Sequence, residues 1–194
     1  MAEYRMLPNI RAHSLVVARI AELLALALRG RGVAIDADLT LAAALLHDIA
    51  KSSCLDNDRN HAALGRDICL QHGFDELAPL VDQHVVLAAD SFPGTPLSAK
   101  ELVYYADKRV NHDQIVTLDE RLAYIIDRYG HNDPLRQAAI RKNFERCLLI
   151  EQAIFDGLDF GPGDVPARLA ASAPAWSDSM ARGAAAHWAA EACQ

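Results

Sequence analysis

Along residues 10–28 the apolar positions Leu15, Val16, Ile20, Leu23, Leu24, Ala27 and Leu28 recur at three- and four-residue intervals, the spacing that gives a helix one apolar face. Gly30 and Gly32 then end the pattern. The stretch Asp36-Ala37-Asp38-Leu39-Thr40 offers N-capping side chains ahead of LTLAAALLHDIAK, so a second helix is predicted from there to near Lys51. It is apolar nearly all round, which marks it as central.

The polar, turn-rich KSSCLDNDRN predicts a loop, followed by a helix from about Asn60 to Gln71 that Gly73 stops. A further short helix is expected within DELAPLVDQHVVLAA. Two prolines and a glycine in DSFPGTP break the chain, and Ser98 then opens a helix through LSAKELVYYADKRV, which places Asp107 inside a helix. Thr117 starts another in TLDERLAYIIDRY, and Pro134 opens a long one, PLRQAAIRKNFERCLLIEQAIFDGL. No alternating strand pattern of useful length and no internal repeat is found. The expectation is an all-α bundle over residues 1–160, then an Ala/Pro-rich tail over 161–194 that is weakly ordered or carries a short helix.

Composition adds limits to this picture. With 194 residues, 52% of them hydrophobic and 23% charged, the chain has the balance of one ordinary globular domain with a sizeable core. A net charge of −7 argues against long nucleic acids as partners. The N-terminal MAEYRMLPNIRAHS lacks the pattern of a secretory signal, and no apolar run approaches the roughly 18 residues of a membrane span. Cys54, Cys69, Cys147 and Cys193 form no CxxC pair, so they read as reduced thiols of a cytoplasmic protein.

The chemistry concentrates at His47-Asp48. The preceding LAAALL marks its surroundings as buried, and two adjacent polar groups in a core need partners. A cation would supply them. Adjacent helical residues point about 100° apart, so an ion between them draws further ligands from other helices. His13, early in the first helix, and Asp107, interrupting the apolar VYYADKRV, are polar residues on apolar stripes and fit that part. Two imidazoles and two carboxylates suit iron, manganese, zinc or another borderline divalent ion. His61, opening HAALGRDIC, and His84, within LVDQHVVL, could hold a second metal. Asp48 would then bridge two ions about 3.5–4 Å apart that share a hydroxide. His72, His112, His131 and His187 lie beside turns, polar clusters or the tail and read as surface residues.

The order His13, His47-Asp48, Asp107 resembles the HD superfamily of metal-dependent phosphohydrolases over roughly residues 9–130. The segments RAHSLVVARIAELL, ALLHDIAK, NHAALG, DQHV and YYADKRV are similar in order to the bacterial HD hydrolases of dinucleoside tetraphosphates. The resemblance implies an HD-domain helical bundle with its metal site between central helices and two irons held through the six residues His13, His47, Asp48, His61, His84 and Asp107. It also implies symmetric cleavage of a dinucleoside tetraphosphate into two nucleoside diphosphates. Iron is favoured, with Mn, Zn, Ni, Co and Mg left open.

Lys51, four residues beyond His47, is the leading phosphate contact, with Lys108 and Arg109 as further candidates and Arg19 a weaker one. No GxSxG elbow or P-loop glycine run supplies another nucleophile or phosphate cradle. Asp48 or a metal-bound hydroxide would take the proton while Lys51 holds phosphate. The expected function is hydrolysis of a small nucleotide, with a dinucleoside polyphosphate favoured. A diiron oxygenase of the HD type and a metal-bound nucleotide sensor with little turnover are the competing readings, and a homodimer is possible.

Overall fold

The computed structural model describes residues 1–57 and 59–172; the end of the expected tail, with Cys193 and His187, lies outside them. Eight α-helices are found among the described residues. They are α1 (Pro8–Gly30), α2 (Ala37–Leu46), α3 (His61–Gln71), α4 (Ala78–Asp82), α5 (Ala99–Lys108), α6 (Leu118–Tyr129), α7 (Pro134–Phe155) and α8 (Val165–Ala171). None is long and apolar enough to cross a membrane. The described residues are all-α apart from a short hairpin of two-residue strands, β1 (Val110–Asn111) with β2 (Gln114–Ile115), in which Val110 pairs with Ile115.

Capping residues set where these helices begin. Asp36 accepts from the Leu39 amide, and Asn60 accepts from the amides of Ala62 and Ala63. Ser98 with Glu101, and Thr117 with Glu120, form capping boxes. The core is where α1, α2 and α5 meet: Val17, Ile20, Ala21 and Leu24 of α1, Ala43 and Ala44 of α2, and Leu102 through Ala106 of α5 are all fully buried. Tyr104 donates to the Asn143 carbonyl at 2.7 Å and Tyr105 to Glu151 at 2.7 Å, fastening α7 to α5 by hydrogen bonds that satisfy two buried phenols.

Two elements differ from the sequence expectation where function is concentrated. The α2 helix stops at Leu46 instead of near Lys51. From there the backbone tightens, Ile49 bonding back to Leu46 and Lys51 to Asp48, and Lys51–Cys54 forms a 3₁₀ turn. Likewise α4 ends at Asp82, leaving His84 in the following turn. At Gly65 an added Cβ would lie 2.8 Å from Val81 Cγ1 and 3.9 Å from the His47 carbonyl oxygen. The bare glycine therefore lets α3, α4 and the His47 turn approach closely. Beyond residue 160, α8 buries Val165 and Leu169, and Arg19 reaches from α1 to donate to the carbonyls of Leu169 and Ser172.

Candidate metal centre

Five parts of the chain bring six side chains to one point: His13 from α1, His47 and Asp48 from the turn after α2, His61 from α3, His84 from the turn after α4, and Asp107 from α5. The Asp48 carboxylate is central, and its two oxygens face different partners. On one side, Oδ2 lies 3.5 Å from His47 Nε2 and 3.9 Å from His13 Nε2. Asp107 Oδ1 closes that group, 3.1 Å from His13 Nε2 and 3.8 Å from His47 Nε2. On the other side, Oδ1 lies 3.3 Å from His61 Nε2 and 3.5 Å from His84 Nε2, with the two imidazole nitrogens 3.2 Å apart. Ligands about 2.0–2.2 Å from one ion sit roughly 3–3.5 Å from one another; the second group has those dimensions throughout, and the first is slightly more open, at 3.1–3.9 Å.

The surroundings orient these nitrogens. His13 Nδ1 is 2.8 Å from the His112 carbonyl, His47 Nδ1 is 2.7 Å from that of Ala44, and His84 Nδ1 is 2.6 Å from that of Val81. A carbonyl accepts only, so each Nδ1 donates to it and each Nε2 is turned inward, toward the Asp48 and Asp107 carboxylates. Metal-bound histidines are held this way by their outer partners. The centre also contains polar atoms that protein alone leaves unsatisfied: His47 Nε2 and Asp48 Oδ1 are buried without a hydrogen-bond partner among the described residues. Such atoms are costly unless something coordinates them, and the mixed imidazole and carboxylate donors fit borderline divalent ions.

Electrostatics keeps the carboxylates charged. Burial opposes ionisation of Asp48, but His47 and Lys51 outweigh it and hold the group well below the usual carboxylate range. Burial is likewise outweighed at Asp107, by Lys108, His13 and Arg121. Burial pushes His84 down to about 4, which leaves its ring neutral at physiological pH. His47 runs the other way, since Asp48 and Asp107 together overcome its burial and raise it.

The expected cations divide into two sets. Lys51 stands at the edge of the centre, its ammonium 2.7 Å from Asp48 Oδ2 and partly open to solvent. Lys108 is neither a surface charge nor free to meet a phosphate. It is buried, donates to the His84 carbonyl at 2.6 Å, lies 3.3 Å from Asp107 Oδ2 and sits over the Tyr104 ring. Arg109 points away from the centre, its guanidinium held by Tyr105, the Val116 carbonyl and the Pro162 carbonyl. Arg19 is spent on α8. For Lys108 and Arg109 the cause is shared: a helix turns about 100° per residue, so neighbours of Asp107 cannot all face where Asp107 faces.

Sequence reasoning overlooked two contributors. His112, read as a surface residue, supplies through its backbone carbonyl the contact that orients His13, from a turn position with φ 53°. Arg121 is buried, donates to Asn111 Oδ1 at 2.7 Å and places Nη2 3.8 Å from Asp107 Oδ1. Its signal was present, because Arg121 falls on the same face of α6 as Leu118, Leu122 and Ile125. A cleft of about 640 Å³ opens from His61 and His84 toward α6 and α7, and Lys51, Arg59, Arg121, Arg128 and Arg136 line it against the one carboxylate of Asp107.

Comparison with known proteins locates this arrangement. The family model described as HD domain matches residues 10–131. The uncharacterized protein MJ0778 of Methanocaldococcus jannaschii is 29% identical over 149 residues, covering 71% of this chain and 87% of the relative. Ribonuclease Y of a Sulfurovum species is 31% identical over 137 residues, covering 61% of this chain but 26% of the ribonuclease. No solved structure matches the chain.

Proposed function

Because the chain belongs to the HD-domain family of metal-dependent phosphohydrolases, and the match spans all six residues of the centre, we propose that it hydrolyses a small phosphorylated substrate, a nucleotide, with a dinucleoside polyphosphate as the favoured class. The observation that carries this reading is the split coordination of Asp48, one oxygen facing His13 and His47 and the other facing His61 and His84. His13, His47, Asp48 and Asp107 would hold one divalent ion, and Asp48, His61 and His84 a second, with iron favoured. When bound, such ions lower the pKa of water toward neutrality and offset the charge of a phosphoryl group.

The chain's own groups do the rest. Asp48, kept ionised, offers both oxygens as ligands. Lys51 lies on the wall of the cleft within reach of Asp48 and is the phosphate contact. Arg59 and Arg128 line the same cleft, and no side-chain partner is found for either among the described residues. They are available to a polyanion despite the net charge of −7, since local field dominates within a cleft.

The test is to purify the chain without chelator, count metals by elemental analysis, and assay dinucleoside polyphosphates and simpler nucleotides with Mn(II) or Fe(II). Two metals per chain, one in His61→Ala, and lost hydrolysis in that variant are expected. Lys51→Ala should keep both metals and lower kcat/KM by about a hundredfold, the scale of a lost phosphate-stabilising donor. Two irons with oxygen consumption and no phosphorylated substrate turned over would replace this reading by an oxygenase. Tight nucleotide binding without product would replace it by a sensor.

A further inference from the structure

Among the described residues, two cavities of unequal size flank the Asp48 centre. The larger, about 640 Å³, extends from His61 and His84 toward α6 and α7. The smaller, about 190 Å³, lies on the other side, against His13, His112 and Tyr124. Lys51, Arg121 and Arg128 line both, so a phosphate chain crossing the centre meets the same cations on either side. Pockets that enclose drug-sized organic ligands span roughly 300–1,000 Å³. The larger cavity falls within that range and the smaller below it.

The walls differ as well. Val85, Val86, Ile125 and Ile140 belong to the larger cavity alone. Val85 is 38% exposed and Val86 60% exposed; Leu55 and Tyr129, also exposed, line both cavities and do not distinguish them. Large apolar side chains gathered in the open around one cleft mark a surface that something covers. The cations Arg59 and Arg136 also line this cavity and not the smaller one. An occupant with an apolar face joined to a chain of negative charges matches both features.

We propose that the centre grips one nucleoside end of its substrate, the base against Val85, Val86 and Ile140, while the smaller cavity accepts groups of phosphate size. This rests on the phosphohydrolase reading of the same centre and adds an asymmetry to it. One nucleoside suffices for recognition, and a second, at the far end of the phosphate chain, contributes little.

Calorimetric titration of the manganese-loaded full chain with analogues that resist hydrolysis reads this directly. The probes are α,β-methylene adenosine diphosphate against methylenediphosphonate, which differ by the nucleoside alone, and methylene-bridged diadenosine tetraphosphate against methylene-bridged adenosine tetraphosphate. The nucleoside should tighten binding of the first pair by about tenfold or more, the worth of covering one modest apolar face. Val86→Ser combined with Ile140→Ser should reduce that advantage to about threefold or less while leaving methylenediphosphonate unchanged. Val86→Ser alone, at a position already 60% exposed, should reduce it part of the way in a chain whose fold is undisturbed. In the second pair the added nucleoside should gain no more than about threefold, twofold of it from having two equivalent ends to bind. Equal affinity within the first pair, no binding of either member, or a second nucleoside worth about tenfold would overturn the inference. Turnover is not read, so a chain that binds as described but hydrolyses nothing refutes the proposed activity alone.

Discussion

Lys108 shows how position in a fold decides what a charge does. Its ammonium ties the His84 carbonyl to Asp107, joining the two halves of the centre from behind. Burial lowers its pKa, with Asp107 opposing, yet the pairing keeps the cation useful as a brace. Lys108→Met should leave a buried carbonyl and carboxylate without their partner and cost about 3–5 kcal/mol, read as a shift of the urea midpoint in chelator-treated protein. Cys147 gives a second test at this scale. Burial pushes its thiol up to about 12, so the folded state keeps its proton where the unfolded chain, near 9, loses it. Stability from this group is therefore present below about pH 9 and lost as pH rises toward 12. Wild type should destabilise more steeply than Cys147→Ala over that window in denaturant melts, and Cys147 should resist alkylation at pH 8 until the chain unfolds, while the partly exposed Cys54 reacts first.

At the scale of elements, the caps carry function as well as stability. Asn60 caps α3, and the residue it precedes is His61, so the same two hydrogen bonds start the helix and place an imidazole. Asp133 caps α7 in the same manner, away from the centre. Asn60→Ala and Asp133→Ala should each cost about 1 kcal/mol in thermal or chemical unfolding. The former should also weaken the second metal several-fold in a metal titration, and the latter should leave it unchanged. Most helices were legible from apolar spacing and from start signals such as the caps Ser98 and Thr117 and the first-turn Pro134, because those signals are local. The early end of α2 was not, because His47 turns its own ring onto the Ala44 carbonyl and the chain then tightens into turns, an outcome of the centre's geometry and not of propensity. The grouping of His13, His47, Asp48 and Asp107 was readable because each interrupts an apolar stripe. The orientation of Arg109 and the part played by the His112 carbonyl depend on tertiary direction, which spacing does not encode.

For the whole molecule, the bundle does not end where the composition changes. Val165 and Leu169 enter the core, Arg168 lies 4.0 Å over the Phe160 ring, and Arg19 holds the end of α8. A chain ending at residue 160 should therefore be less stable than one ending at 172 by roughly 3–5 kcal/mol, the burial of two aliphatic side chains, as measured by denaturant unfolding. Its metal content should be the same, since the hydrogen bonds and ion pairs that orient the six residues at the centre involve no residue of α8. The arrangement of the centre itself, with five chain segments converging on one carboxylate, is the feature on which the functional account depends. X-ray absorption fine structure of the metal-loaded protein tests it most directly. The account predicts imidazole and carboxylate ligands together with a metal–metal distance of about 3.5–4 Å that disappears in His61→Ala. A single mononuclear site in the wild type, with no metal–metal scattering at full loading, would contradict it.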